Sequence, residues 1–265
     1  MLNVPAYLER IRYANPTAPT PETLQAIHRA HMFAVPFENL DIHLGRKIVC
    51  DEAPFLHKIV DERRGGFCYE LNGAFAALLR GLGFQVTLLS ARVAGADGSD
   101  GPEFDHLTLR VDLDGPWLAD VGFGDGFLEP LSLNTGVEQP QIGRIYRLTG
   151  AEGVFRLEVM TDEKWKREYS FTLQPRQLSD FAAMCHYHQT SPDSHFTRNR
   201  ICSKATPEGR ITLSNEKLIE TRTGVRNERV LAGEEELRAK LHELFGVILP
   251  VTVAVGSDQI PQEDA

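Results

Sequence analysis

Through the first 83 residues, apolar side chains recur every three or four positions, which is the spacing of an amphipathic helix. The clearest stripe consists of Leu71, Phe75, Leu78 and Leu82, and Gly81 and Gly83 mark the end of that helix. The first third of the chain is therefore predicted to be helical. The predicted helices are Pro5–Ala14, Pro21–Phe33, Pro54–Arg63 and Cys68–Arg80.

From Phe84 onward the apolar period changes to two, which is the period of a half-buried strand. Turn sequences such as Asp97-Gly98 separate the strands, and this regular succession favours a small antiparallel barrel or sandwich. The last third mixes strands with a helix over Glu234–Phe245, and residues 256–265 are polar and expected to be loosely held. The predicted strands are Gln85–Val93, His106–Leu113, Trp117–Phe123, Arg144–Thr149, Val154–Met160, Trp165–Thr172, Ile211–Ser214, Lys217–Thr221 and Arg229–Leu231.

Composition and charge exclude several classes of function. A formal charge of −9 argues against a nucleic-acid surface, which requires clustered Lys and Arg. No apolar run reaches membrane-spanning length, and the first residues lack a signal-peptide core, so we expect a cytoplasmic protein without membrane contact. The four cysteines form no CxxC pair, which suits a reducing compartment, and the Cys and His residues between 185 and 202 match no zinc pattern. No metal is therefore expected.

A cysteine with unusual neighbours opens the fourth predicted helix. Cys68 follows the run Arg63-Arg64-Gly65-Gly66-Phe67 and precedes the apolar stripe. The positive end of a helix dipole and nearby guanidinium groups both favour the thiolate, which is the nucleophilic form of cysteine. The alternative is that Cys68 is a small buried packing residue, as most free cysteines are. We favour the nucleophile.

A cysteine nucleophile requires a base and a group that orients the base. His106 begins one predicted strand, and Asp120 lies in the next strand, beyond a turn at Asp114-Gly115. Paired residues of a hairpin have a constant index sum, and its parity decides which residues share a face. A loop of three residues, Leu113–Gly115, gives an index sum of 228 and puts the His106 and Asp120 side chains on one face. A loop of two residues puts them on opposite faces. A Cys–His–Asp site therefore requires an odd loop or a bulge.

Several blocks of this sequence resemble the arylamine N-acetyltransferases, over nearly the whole chain. The resemblance implies an α+β fold with a papain-like Cys–His–Asp order. Its three parts are a helical bundle over 1–83, an antiparallel β-barrel over 84–195 and an α/β lid over 196–265. The matching blocks are Pro36-Phe37-Glu38-Asn39-Leu40, the segment from Arg64 to Asn72, His106-Leu107-Thr108-Leu109, Asp120-Val121-Gly122-Phe123-Gly124, Gln189-Thr190-Ser191-Pro192 and Thr206-Pro207-Glu208-Gly209.

The resemblance also implies the reaction. Cys68, His106 and Asp120 take the family's catalytic positions, and acetyl-CoA serves as cosubstrate. The acetyl group passes through a Cys68 thioester to an arylamine or arylhydrazine in a ping-pong sequence. Two alternatives stay open: a related acyltransferase or amide synthase with another acyl donor, and a cysteine hydrolase. Self-association into a homo-oligomer is also left open.

Further residues are candidates for binding the substrates or for supporting the site. Phe37, Phe104 and Phe123 are expected to form an apolar wall around the acceptor ring. Arg64 and Glu38 are expected to form a structural ion pair. Small hydroxyl or glycine residues are common at some of the CoA positions, where this chain has bulkier or acidic side chains. The positions implied to contact CoA are Pro102, Glu103, Tyr187 and Asp193.

Overall fold

The structure of this protein is a computed structural model, and it describes residues 2–250. Helices dominate its first third, as the apolar spacing predicts, and a short α/β part ends it. The helices are α1 (Val4–Arg10), α2 (Pro21–Ala34), α3 (Leu40–His43), α4 (Glu52–Leu56), α5 (Cys68–Gly81), α6 (Ala182–Thr190), α7 (His195–Arg198) and α8 (Glu234–Lys240). Single π-helical turns over His57–Asp61 and Leu241–Phe245 extend α4 and α8. A 3-10 turn over Leu178–Phe181 leads into α6.

The strands form two antiparallel sheets. The larger sheet has the order β5-β4-β3-β2-β9-β8-β7-β6 and the smaller has the order β1-β10-β11-β12-β13. The strands are β1 (Phe37–Glu38), β2 (Gln85–Val93), β3 (His106–Leu113), β4 (Gly115–Ala119), β5 (Leu131–Ser132), β6 (Glu138–Gln141), β7 (Arg144–Ala151), β8 (Val154–Thr161), β9 (Lys164–Thr172), β10 (Ile201–Thr206), β11 (Gly209–Ser214), β12 (Lys217–Arg222) and β13 (Val225–Val230).

The larger sheet curls into a nearly closed barrel. Its two edge strands meet through a side chain, since the Gln139 amide donates to the Ser132 carbonyl at 2.9 Å and accepts the Ser132 N–H at 2.8 Å. Closure of this kind satisfies backbone groups that an open edge would expose. The predicted α+β architecture of helices, antiparallel barrel and C-terminal α/β part is confirmed.

Helix α5 lies at the centre of the molecule. Every residue from Cys68 to Leu79 is buried, so this helix is enclosed on all sides. Its apolar side chains belong to one core cluster with β3 and with Phe181 and Cys185. No helix within residues 2–250 is long and apolar enough to cross a membrane.

Several predicted boundaries are wrong for local reasons. Helix α1 ends at Arg10, four residues early, because Arg12 adopts a left-handed φ of 56° that a helix excludes. Strand β4 ends at Ala119, because the chain turns there to pack on α5. Helix α6 was not predicted, since its apolar spacing is weak. The predicted loose segment 256–265 lies outside the described residues.

The smaller sheet joins the first third of the chain to its last third. Strand β1 comes from the first third, yet it pairs with β10, with Phe37 opposite Ser203. On its other side, β1 makes a parallel bridge to Gly66, and the Glu38 N–H donates to the Gly66 carbonyl at 2.8 Å. The segment before Cys68 is therefore held between the helical part and the C-terminal sheet.

A buried network of five charges surrounds this segment. The predicted pair of Arg64 and Glu38 is confirmed, with a nitrogen–oxygen distance of 2.8 Å. Arg64 also contacts Asp41 at 3.1 Å, and Lys58 contacts Asp41 at 2.9 Å and Glu70 at 2.8 Å. All five side chains are at most 9% exposed. Because the two cations face three carboxylates, removal of either cation leaves buried negative charge without compensation.

Arg64→Met should therefore lower the free energy of unfolding by about 3–5 kcal/mol, as expected when one partner of a buried ion pair is lost. Urea unfolding followed by circular dichroism measures it. Arg46→Met is the matched control, because Arg46 lies 4.0 Å from the same Asp41 but is 45% exposed. Its loss should cost at most about 1 kcal/mol. Equal effects of the two substitutions would contradict the structural role of Arg64.

The network also predicts a dependence of stability on pH. Burial raises the pKa of Glu70 to about 7, and the Lys58 ammonium only partly offsets this. Between the ordinary glutamate pKa of 4.5 and about 7, the folded state keeps a proton that the unfolded chain has lost. The contribution of Glu70 to stability therefore falls as pH rises through this window, by up to about 1.4 kcal/mol per unit.

Glu70→Gln should flatten the stability profile between these two pH values, as measured by urea midpoints at several pH values. The exposed Glu52→Gln should leave the profile of the wild type unchanged. A Glu70→Gln profile that keeps the wild-type slope would show that another group titrates.

Candidate active site

Cys68 is the first residue of α5 and is 3% exposed. The Glu70 carboxylate accepts the backbone N–H of Phe67 at 3.1 Å, which satisfies one of the donors left free at a helix N-terminus. Lys58 holds the other oxygen of that carboxylate at 2.8 Å. The charge network thereby fixes the turn on which the thiol sits.

The two glycines before Cys68 are required by close packing. A Cβ atom on Gly65 would lie 1.9 Å from the carbonyl oxygen of Pro36, and a Cβ on Gly66 would lie 2.6 Å from the Glu70 Cβ. Neither glycine has a positive φ. Their role is therefore to let the backbone approach β1 and the helix, rather than to form a turn that only glycine can adopt.

The expected electrostatic activation of Cys68 is wrong in one respect. The Arg64 guanidinium faces Glu38 and Asp41, so its charge is compensated within the network. Burial raises the pKa of the Cys68 thiol well above its usual value, and hydrogen bonding from the backbone of Leu107 opposes this. Burial thus opposes the thiolate, and a base that accepts the thiol proton would promote attack by the sulfur.

The register of the β3–β4 hairpin places His106 and Asp120 on one face. Leu113 pairs with Gly115, and Leu109 pairs with Ala119, so the index sum is 228, the value that a shared face requires. His106 Nε2 lies 2.6 Å from an oxygen of Asp120. Its other ring nitrogen, Nδ1, stays available for a second partner.

Asp120 is fully buried and accepts four hydrogen bonds. Burial raises the pKa of its carboxyl group, but the His106 charge and the donated hydrogen bonds outweigh this and hold the pKa below the usual value. Asp120 is thus kept ionised and fixed in orientation. The donors are His106 Nε2 at 2.6 Å, Asn72 Nδ2 at 2.9 Å, the Tyr169 hydroxyl at 2.9 Å and the Gly122 N–H at 3.0 Å.

The structure brings the cysteine to the same place. The Leu107 backbone, which directly follows His106, lies near enough to the Cys68 thiol to lower its pKa against the effect of burial. The loop after β4 packs on the start of α5, since a Cβ on Gly122 would lie 2.9 Å from the Cys68 Cα. Gly122 thereby lets the backbone of this loop approach the helix closely.

Three polar residues that support Asp120 were missed as site residues. Asn72 donates to the Leu107 carbonyl and accepts the Val121 N–H, so it joins α5 to β3 and to the loop after β4. His28 of α2 accepts the Asp120 N–H through Nε2, and burial lowers the pKa of His28 to about 4. A buried polar residue on an apolar helix face is the only sequence signal for His28 and Asn72. For Tyr169 we find none.

The three aromatic residues expected around the acceptor lie in different surroundings. Phe123 packs edge-on against His106, with ring centroids 5.2 Å apart. Phe37 lies beside Gly124, at the level of the same loop. Phe104 contacts Phe181 instead, in the loop that leads into β3. Phe123 is thus in direct contact with the candidate base.

The four positions implied to contact CoA lie on two segments. Pro102 and Glu103 precede β3, and the Glu103 carboxylate is held by Arg176. Tyr187 is exposed on α6, and Asp193 is exposed just beyond that helix. His188, beside Tyr187, lies 3.1 Å from Asp105, so the two segments adjoin.

Within residues 2–250, no three or more His, Cys, Asp and Glu side chains are grouped as a metal site. Cys185 instead lies in the core, where its sulfur accepts a hydrogen bond from the Gln189 amide at 3.3 Å. The cysteine and histidine residues between 185 and 202 offer packing and hydrogen bonding in the structure.

A helix-borne cysteine beside a barrel-borne His–Asp pair is typical of thiol enzymes, a class that includes acyltransferases and hydrolases. A family model described as N-acetyltransferase matches residues 20–254. The chain is 36% identical to the pineal gland isozyme NAT-3 of arylamine N-acetyltransferase from Gallus gallus, over 94% of this chain and 95% of the relative. The chain therefore belongs to the arylamine N-acetyltransferase family.

Solved structures agree with this assignment. Arylamine N-acetyltransferase from Salmonella typhimurium superimposes with a TM-score of 0.88 at 33% identity, over 94% of this chain and 93% of that one. The Mycobacterium marinum arylamine N-acetyltransferase in complex with CoA gives a TM-score of 0.86 at 32% identity, with 92% of each chain covered.

Gly122→Ala tests the contact between the hairpin loop and α5. The added Cβ meets backbone atoms of Cys68, which cannot move aside, so the free energy of unfolding should fall by about 1–3 kcal/mol. Gly126→Ala in the same loop is the control, since its nearest neighbour is the Phe123 Cβ at 3.3 Å. Urea unfolding should show a smaller loss for the control, and a Gly122→Ala protein as stable as wild type would contradict the packing described.

Proposed function

We propose that this protein transfers an acetyl group from acetyl-CoA to an aromatic amine or hydrazine, and that Cys68 carries the acetyl group between the two. Membership of the arylamine N-acetyltransferase family supports the reaction. The CoA complex of the Mycobacterium marinum relative supports CoA as the carrier of the acetyl group.

One observation carries the assignment of Cys68, His106 and Asp120 as the catalytic residues. The buried thiol of Cys68 adjoins the start of the strand that carries His106, whose Nε2 is held by an ionised carboxylate. A neutral thiol requires a base within reach, and the His106 ring offers Nδ1 for that role. Asp120 holds the tautomer and stabilises the ring when it becomes positive.

In the first half-reaction, His106 accepts the thiol proton while the Cys68 sulfur attacks the carbonyl carbon of acetyl-CoA. The tetrahedral intermediate then expels the CoA sulfur, which takes the proton back from His106 and leaves as free CoA. One thioester replaces another, so this step is close to balanced in energy. Backbone N–H groups at the start of α5 would stabilise the oxyanion.

In the second half-reaction, the acceptor nitrogen attacks the acetyl carbon and the Cys68 sulfur leaves. His106 takes a proton from the nitrogen and returns it to the sulfur, which regenerates the thiol. An aromatic ring would pack beside Phe123 and Phe37, while Phe104 borders the pocket from the neighbouring loop. Because the site is buried, water competes poorly with the amine.

CoA is expected to lie along the two adjoining segments before β3 and around α6. The Glu103 carboxylate is engaged with Arg176, so Pro102 and Glu103 would contribute backbone groups. Tyr187 offers an exposed ring, whereas Asp193 is acidic and would have to face away from the phosphates. The four free cysteines suit the cytoplasm. The chain divides into a helical bundle up to residue 83, a barrel up to residue 195 and an α/β lid beyond it.

The purified protein should gain the mass of one acetyl group when it is incubated with acetyl-CoA and no amine, as weighed by intact mass spectrometry. Addition of an aromatic amine should discharge the adduct and yield the N-acetyl product. Cys68→Ala should show no adduct while its circular dichroism spectrum stays that of the wild type. An adduct that persists in Cys68→Ala would sink the proposed mechanism.

Two further arms separate the alternatives. If the adduct decays in water as fast as with amine, the protein is a hydrolase. If propionyl- or malonyl-CoA acylates Cys68 and acetyl-CoA does not, the protein is a related acyltransferase with another donor. Cys50, a partly buried cysteine outside the site, provides the control for nonspecific acylation through Cys50→Ala.

A further inference from the structure

A second cavity, of about 460 Å³, lies where the ends of α1 and α2 meet β10 and the residues after α8. Its volume is within the range of about 300–1,000 Å³ that is usual for small-molecule sites. Cys68, His106 and Asp120 do not line it, nor do the three aromatic residues of the proposed acceptor pocket. The cationic residues that line it are Arg10, Arg12, Arg63 and Lys204.

Arg10 is a buried cation with no carboxylate partner among residues 2–250. It is 6% exposed, and its guanidinium donates only to main-chain carbonyl oxygens, at 2.9–3.2 Å. Carbonyl oxygens satisfy N–H donors but carry no net charge, so the positive charge of Arg10 is not compensated. The four acceptors belong to Ile59, Ala34, Arg63 and Arg64.

The other three cations are more accessible, since Lys204 is partly buried and Arg12 and Arg63 are exposed, but they also lack a carboxylate partner in the described part of the chain. Lys204 donates to the Leu244 carbonyl at 2.7 Å, and among residues 2–250 neither Lys204, Arg12 nor Arg63 forms an ion pair. Glu243, the one acidic residue on the lining, pairs with Lys240. Four cations therefore share one cavity without a negative partner in the described part of the chain.

This arrangement contrasts with the charge network a few residues away. There Lys58 and Arg64 face three carboxylates. The chain has a formal charge of −9, so its acidic residues are plentiful. A cavity that joins the buried, unpaired charge of Arg10 to the more accessible charges of Arg12, Arg63 and Lys204 has a positive potential that favours an anion from outside the chain.

The cations also act on one another. Burial lowers the pKa of Arg10 to about 10, and the charges of Arg63 and Arg12 lower it further. Burial lowers the pKa of Lys204 as well. The charges of Arg10 and Arg12 lower this pKa further, whereas Cys202 raises it. A bound anion would relieve this repulsion.

The lining also limits the shape of the anion. Ile11, Phe33 and Phe245 give the cavity an apolar wall, whereas the arginine side chains offer the forked donors that match phosphate oxygens. Four cations exceed what one carboxylate balances, and a phosphate monoester carries up to two charges near neutral pH. We propose that this cavity binds a small organic phosphate, with the phosphate on the arginines and the apolar body against the phenylalanine side.

Calorimetric titration of the full chain with phenyl phosphate tests the proposal. Phenyl phosphate should bind, and benzyl alcohol, which has the ring but no charge, should not. The double variant Arg12→Gln/Lys204→Gln should weaken binding by at least about tenfold, as expected from the loss of charged hydrogen bonds. Higher salt should weaken binding to the wild type, because one side of the cavity is open to solvent.

The double variant Lys47→Gln/Lys166→Gln removes two exposed cations elsewhere and should bind as the wild type does. Both double variants should keep the rate of Cys68 acetylation, which shows that they fold and makes this result independent of the proposed transfer reaction. The proposal is overturned if the wild type does not bind phenyl phosphate, or if both double variants lose binding equally. It is also overturned if CoA displaces phenyl phosphate, because the cavity would then belong to the cosubstrate site.

Discussion

The buried contact of Lys58 and Arg64 with three carboxylates is the interaction on which the candidate site depends. Arg64 pairs with Glu38 of β1, and Lys58 pairs with Glu70, whose carboxylate accepts the N–H of Phe67. These ion pairs fix the chain that leads into Cys68. Because charges without partners are costly inside a protein, the segment cannot move without breaking several pairs at once. The ion pairs thus position Cys68 through the backbone and make no contact with its thiol.

Asp120 plays the same part for the barrel. Its carboxylate collects donors from α5, β3, β9 and its own loop, so four segments converge on one buried charge. The helix and the barrel therefore meet at the site through hydrogen bonds as well as through packing. These contacts fix Asp120 although it lies in the loop that begins where β4 ends. The site is preorganised by the fold's interior.

The two groups of cations show how differently one fold treats positive charge. Lys58 and Arg64 are neutralised within the chain, and Arg10, a few residues away in space, contacts carbonyls alone. In the first case, the ion pairs fix the position of the chain that leads into Cys68. In the second, an unbalanced charge is retained beside a cavity, which is the feature expected of a site for an anion.

The sequence by itself determined the local elements and the chemistry. The alternation of residues 85–93 and 106–113 predicted β2 and β3 with their observed bounds, and the stripe after Cys68 predicted α5, because these periods depend on local geometry. The motif blocks identified the family, and parity limited the hairpin to a register that the structure adopts.

Tertiary structure alone decided what surrounds each charge. The partners of Asp120 come from residues 28 to 169, and the cations of the second cavity come from residues 10 to 204, so no local pattern could place them together. Burial, which raises the pKa of Cys68 and of Glu70, is likewise a property of the packed chain and not of its sequence neighbours.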